Sequence, residues 1–297
     1  MKGGLFPGRL GLAESRIPHV DRHGLIWLAR GNLTVVNGTL HFTAAQSTEL
    51  DAGDYAIPYQ GVSIILLGPG STVSHDVLRL LARHGTLLAA VGEGGVKFYT
   101  APPMGRGRSE IARQQARLWA DETARLDVAR RMYAFRFGRV LPHRDISVLR
   151  GIEGGRMKKT YQLLADEYGI PWKGRRYNRQ NPVGADIPNQ AINHAATFVE
   201  AAADVAVAAV GALPPLGFIH EDSSNAFTLD IADLYRAEII VPLAFSVAKK
   251  ALEDPELLLE RALRREAASQ FRKQKLISKM IDRIKDLLHV DDRDSDT

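Results

Sequence analysis

A chain of 297 residues with 45% hydrophobic and 25% charged residues can bury one large or two medium cores, and two domains are expected. It contains no cysteine, which excludes disulfides, thiolate metal sites and cysteine nucleophiles. No apolar run approaches the roughly 18 residues of a membrane span, and Met1-Lys2-Gly3-Gly4 opens no signal-peptide pattern, so a cytoplasmic location without a membrane partner is expected.

In chain order, the first hundred residues read as strands. Leu25 to Ala29 is a short apolar run ended by Arg30-Gly31-Asn32, and Leu33 to Val36 meets Asn37-Gly38. That dipeptide is a strong hairpin signal because both positions tolerate positive φ. Thr39 to Thr43 returns, and Val62 to Leu67 is a buried strand stopped by Gly68-Pro69-Gly70. A helix is predicted from Ser74 as N-cap to Gly85 as stop, with Val77, Leu78, Leu80 and Leu81 as its apolar side. Thr86 to Val91 and Val96 to Thr100, around Gly92-Glu93-Gly94-Gly95, predict a second hairpin.

Pro102-Pro103-Met104-Gly105-Arg106-Gly107 marks a linker over 102–108. Helical spacing then predicts segments at about 109–137, 146–168, 187–211, 229–252 and 255–288. The expected fold class is α+β. A small N-terminal β-rich domain over 1–101 (a β-sandwich or β-roll with one helix) precedes a larger all-α domain over 109–290. Residues 291–297 form a frayed, disordered tail.

The net charge is +5, but its distribution says more. Residues 1–105 carry 8 basic and 7 acidic groups, residues 150–179 carry 8 and 3, and residues 261–285 carry 9 and 2. Two basic stretches in the helical half suit a nucleic-acid partner, with a solvated helix face as the alternative.

Four residues attract chemical interest. Asp230 and Asp233 stand three apart on a helix, so both carboxylates share one face of an otherwise apolar run. They are either a metal site or a solvated face or cap. His220 ends the apolar approach from Leu213 to Ile219, as a ligand or as a core or edge histidine. Glu153 lies among Gly151, Gly154 and Gly155, where glycines permit close backbone packing, or it is a charge near a helix N-terminus. Together, three carboxylates and an imidazole form a mixed O/N set suited to Mg²⁺ or Mn²⁺ rather than to a closed zinc site. Beside basic helices, such an ion polarises a phosphodiester.

The order Gly-Ile-Glu-Gly-x-Arg (151–156), Gly-Phe-x-His (217–220) and Asp-Ile-Ala-Asp (230–233) resembles the integrase/endonuclease of CRISPR adaptation, the Cas-one family. Trp172 to Tyr177, Asn189 to Ile192 and Val73 to His75 are similar to its subtype I-E branch. The resemblance runs from about Gly24 to Ile284. It implies a homodimer formed through the N-terminal β-domain and one divalent metal held by Glu153, His220 and Asp233, with Asp230 as a fourth catalytic residue, a neighbouring carboxylate that aids the site or orients a ligand.

The implied reaction is transesterification, in which a protospacer 3′-hydroxyl attacks a phosphodiester at the repeat border. The implied partners are double-stranded and 3′-overhang DNA and a small Cas-two protein in a four-plus-two complex. Arg156, Lys158, Lys159, Lys173, Arg175 and Arg176 become candidates for phosphate contact, and Tyr177 for stacking on the single-stranded end. Arg261, Arg264, Arg265, Arg272, Lys273, Lys275 and Lys279 become candidates for binding DNA backbone. Two departures stand out. Glu221-Asp222 follows His220 where small neutral residues are the pattern, and reads either as an addition to the metal shell or as a solvated loop. Arg30 occupies a strand end where relatives can carry an aromatic residue. Two other readings use the same residues: a structural DNA-binding subunit without catalysis, and a general metal-dependent DNA nuclease.

Overall fold

The structure is a computed structural model, described over residues 24–46, 50–100, 109–176 and 185–289. The linker expected at 102–108, Tyr177, the tail 291–297 and residues 1–23 of the expected β-rich domain lie outside those residues. The architecture is the expected α+β order, strands first and helices after.

Two sheets form the strand half. One is parallel throughout, in the order β1 (Gly24–Leu28), β5 (Val62–Leu67), β7 (Leu87–Ala90). The other has the order β4 (Gly53–Ile57), β3 (Thr39–Ala44), β2 (Gly31–Val36), β6 (Thr72–Val73). Strands β2 and β3 pair antiparallel, and Asn37 and Gly38 both take positive φ, 50° and 78°, as a two-residue hairpin turn requires. Helix α1 (His75–His84) ends at Gly85 in the left-handed region. Val77 and Leu81 face inward, whereas Leu78, expected on the apolar side, is exposed.

All six residues of β5 are buried, and they divide between two cores, with a register shift against β1 after Val62. Val62, Ile65 and Leu67 join β2, β3 and α1, while Ile64 and Leu66 pack with Val205 and Ala209 of the helical half. A strand covered on both sides is mostly apolar, which explains a Val-Ser-Ile-Ile-Leu-Leu run whose single polar residue, Ser63, is buried with the rest.

The second predicted hairpin forms only as a short antiparallel return, with Gly92 N donating to Lys97 O and Tyr99 N to Ala90 O. Strand β7 pairs in parallel with β5, and only Val91 bridges antiparallel to Phe98. Glu93–Gly95 coils into a 3-10 turn, and a side chain on Gly95 would strike the Trp27 ring at 2.6 Å. Strand β4 escaped the sequence reading because it contains Gly53 and Asp54. Its register is secured across the sheet by His41 Nδ1 and Thr43 Oγ1 on Asp54.

The helical half runs α2 (Glu110–Ala120), α3 (Glu122–Phe137), α4 (Ile146–Tyr168), α5 (Ile187–Val210), α6 (Ala226–Asp233), α7 (Val241–Glu253), α8 (Leu259–Gln274) and α9 (Leu276–Leu288). Helix α5 is buried around most of its circumference and packs against α6, α7, α8 and α9. Its alanines let those neighbours approach.

Three predicted long helices are divided. Asp121 splits the first by accepting from Ala124 N as the N-cap of α3, a contact worth about 1 kcal/mol. Lys275 at φ 52° splits the last, turning Leu276, Met280 and Ile284 of α9 into the core. Between α6 and α7 a π-helical turn spans Arg236–Ile240. Pro242, early in α7, has no N–H to continue a regular ladder there.

Candidate functional site

The site lies where α3, α4, α6 and the approach to His220 meet. That approach is a built turn. Gln115 donates to the carbonyls of Leu213 and Leu216 and accepts from Leu213 N, and Trp119 Nε1 donates to Gly217 O. A Cβ on Gly217 would lie 2.3 Å from His220 O, so only glycine allows the chain to fold back there.

Asp230 organises the segment from Phe218 to His220. It is 0% exposed, and its Oδ2 accepts from Phe218 N (2.6 Å) and Ile219 N (3.0 Å). Its Oδ1 accepts from His220 N (3.0 Å) and lies 2.7 Å from His220 Nδ1. A carboxylate can only accept, so Nδ1 donates and Nε2 points the other way. The Asp230 hydrogen bond raises the His220 pKa, burial opposes it, and the charges of Asp230 and Asp233 add to the rise.

The Nε2 atom stands 3.9 Å from Asp233 Oδ2. Asp233, one turn along α6, has its Oδ1 held by Arg236 Nε (3.0 Å) and Nη2 (2.6 Å). The π-helical turn supplies that arginine, whose pKa is raised: burial works against its charge, but Asp233 and Tyr161 together more than offset it. Across the gap, Glu153 Oε1 accepts from Arg136 Nη1 at 2.7 Å. The same guanidinium presents Nη2 to Asp233 Oδ2 at 3.7 Å.

Glu153 sits inside α4, not at its start. The helix-terminus alternative is therefore wrong, as is the expectation that Gly151, Gly154 and Gly155 admit a close neighbour. A Cβ at any of the three meets nothing within 4 Å. Glu200, on α5, has its carboxyl pKa raised by burial and by the nearby Asp233 charge.

The donor types of Glu153, His220 and Asp233 fit a hard divalent ion, and Asp230 behind His220 is the supporting carboxylate such sites use. Among the described residues, no three His, Asp or Glu side chains converge closely enough to hold one ion as they stand. The Arg136 guanidinium lies between Glu153 and Asp233. Sequence reasoning missed Arg136 and Arg236. On α3, Arg136 stands three residues after Tyr133 and covers its ring at 5.4 Å, a helical spacing that the sequence displays without marking the pair as part of a site.

The other expected residues divide. Lys158, Lys159, Lys173, Arg176, Arg261, Arg265, Arg272, Lys273, Lys275 and Lys279 are exposed. Arg156 donates to Phe137 O at 2.8 Å and covers the Phe137 ring. Arg175 donates to Asn189 Oδ1 (3.0 Å) and Asn193 Oδ1 (2.6 Å). Asn189 also accepts from Arg176 N and donates to Gly174 O, so this motif ties the segment after Trp172 to α5. Arg264 pairs with Glu260 at 2.8 Å and Glu93 at 3.8 Å, joining the strand half to α8. Glu221 turns to Arg125 at 2.5 Å, and Asp222 is exposed. Arg30 is exposed beside Gly70.

A family model described as CRISPR associated protein Cas1 matches residues 136–273. Over 273 residues the chain is 37% identical to the CRISPR-associated endonuclease Cas1 of Geobacter sulfurreducens, covering 92% of this chain and 86% of that protein. The Escherichia coli protein of the same description is 38% identical, covering 92% and 87%. The crystal structure of a TtCas1-DNA complex superposes with a TM-score of 0.80 at 32% identity, covering 90% of this chain and 97% of that one.

Proposed function

Because the chain belongs to the CRISPR-associated Cas1 family, we propose that it is a divalent-metal-dependent DNA integrase and endonuclease of CRISPR adaptation. The observation that carries this reading is the Asp230–His220 pair, which aims Nε2 at the Asp233 oxygen that Arg236 leaves open. An imidazole held in one tautomer by a buried carboxylate, with its free nitrogen facing the Asp233 carboxylate, is a ligand arrangement rather than a solvated face.

Glu153, His220 and Asp233 are the residues that hold the ion, Mg²⁺ or Mn²⁺. When bound, the ion polarises the target phosphodiester and stabilises the charge that develops in line. Asp230 keeps the imidazole from rotating. Arg236 fixes the Asp233 rotamer through two donors to one oxygen. In the reaction, the 3′-hydroxyl of a protospacer end forms a new bond to phosphorus. The bond from phosphorus to the repeat 3′-oxygen breaks, and that oxygen leaves as a hydroxyl. The substrate brings the nucleophile, so no nucleophilic side chain is required.

The exposed lysines and arginines of α4 and α8 bind phosphate without base specificity. Tyr177 stacks on the 3′ overhang. The working assembly, in the subtype I-E pattern, is two homodimers bridged by the small Cas-two partner, acting in the cytoplasm.

A strand-transfer assay tests this. Purified protein and partner receive a supercoiled plasmid carrying a leader and repeat, with labelled protospacer duplexes, in Mn²⁺ or in chelator. Label should enter the plasmid only with metal and a free 3′-hydroxyl. Metal-dependent degradation without joining would leave a nuclease, and binding without chemistry would leave a structural subunit.

A further inference from the structure

Arg136 is an uncommon arginine. Its side chain is 6% exposed, yet its one hydrogen bond at the site goes to Glu153. Its Nη2 stands 3.7 Å from Asp233 Oδ2, too far for a hydrogen bond, and Nε and Nη2 find no acceptor among the described residues. Buried guanidinium donors without acceptors are costly, and arginine cannot discard its proton to escape the cost. What retains it is charge. Glu153 and Asp233 lie on either side, and without a cation between them two part-buried carboxylates would repel.

Asp233 Oδ1 is already satisfied by Arg236, which leaves Oδ2 facing Arg136 and His220 Nε2. The guanidinium thus stands among the donors assigned to the metal.

We infer that Arg136 is an exchangeable cation: in the metal-free protein it neutralises Glu153 and Asp233, and the divalent ion enters by displacing it from between them. This rests on the reading of Glu153, His220 and Asp233 as ligands. Two cations do not share so small a gap. The ion therefore binds only the fraction of molecules whose arginine has moved aside, and apparent affinity falls by that fraction. The guanidinium already lies over the Tyr133 ring, 5.4 Å from its central carbon, a cation–π contact that does not depend on either carboxylate. Such an exchange keeps the ligand carboxylates folded and charge-balanced before metal arrives.

The test is Mn²⁺ binding by calorimetry and Mn²⁺-dependent melting of the full chain, for wild type, R136Q, R136K, E153Q and D233N. Metal-free R136Q should melt below wild type, bind Mn²⁺ about tenfold more tightly, and gain more in melting temperature when the ion is added. R136K should fall between, because a point charge pairs with one carboxylate at a time. If R136Q does not fold, an R136K affinity no greater than wild type overturns the exchange. Binding that is lost in D233N but unchanged in both Arg136 variants also overturns it, and leaves the metal site standing. No Mn²⁺ binding in wild type or either Arg136 variant would overturn the metal reading together with the exchange.

Discussion

Asp230 and Asp233 occupy one face of one helix, three residues apart, and do opposite work. Asp230 is 0% exposed, and both of its oxygens are saturated by the amides of Phe218, Ile219 and His220 and by the His220 ring. Asp233 is 19% exposed in its side chain, with one oxygen held by Arg236 and the other facing the gap to Glu153. A carboxylate with every lone pair occupied is a structural part; one with an oxygen to spare can meet a ligand. Residue type and spacing are shared, so the surroundings alone make the difference.

The sharpest way to break that comparison is to neutralise each in turn. D230N should cost about 3–5 kcal/mol, because the buried acceptor loses its charge and one of its two accepting oxygens. D233N should cost about 1 kcal/mol, yet reduce strand transfer by about a thousandfold while DNA stays bound. Chemical denaturation and the plasmid assay read the two losses separately. Equal stability losses would dissolve the distinction.

The same logic sharpens the basic residues. R175A should lower the melting temperature, since Arg175 joins Asn189 and Asn193. K159A should leave melting unchanged and reduce the slope of log affinity against log salt by about one. A fall in DNA affinity for R175A with no change in melting would reassign it.

A smaller effect comes from His194, whose pKa is lowered from 6.5 chiefly by burial. The folded protein resists its protonation while the unfolded chain accepts it. Stability present above pH 6.5 is therefore lost as pH falls through the lowered folded value. H194Q should flatten that slope in denaturation curves recorded below pH 6.5.

The smallest effect is on the bare side of α4, where Gly154→Ala meets open space and should stabilise by about 0.5–1 kcal/mol. Destabilisation there would mean that the helix face is not free.

Much was legible before the structure. The hairpin at Asn37-Gly38 rests on two residues whose conformational freedom is local, and so does the stop at Gly85. The pair of aspartates three apart needed only helical geometry. What failed was non-local. The parallel partner of β7 lies on β5, more than twenty residues away, and the antiparallel return after Gly95 is short beside it. Lys275 breaks a helix with no glycine or proline to announce it, because burying Met280 and Ile284 outweighs the cost of a left-handed lysine.

The sequence by itself determined the order of strands before helices, the helical spacing of the two aspartates, and the chemistry of the candidate donor set. These depend on periodicity, side-chain type and short-range turn preference, all of which act along the chain. Only the tertiary structure decided which aspartate is saturated and which keeps an open oxygen, and that Arg136 stands between Glu153 and Asp233. Those outcomes depend on distances between α3, α4, α6 and the turn at Gly217, which packing of the helices around α5 sets and no local pattern encodes.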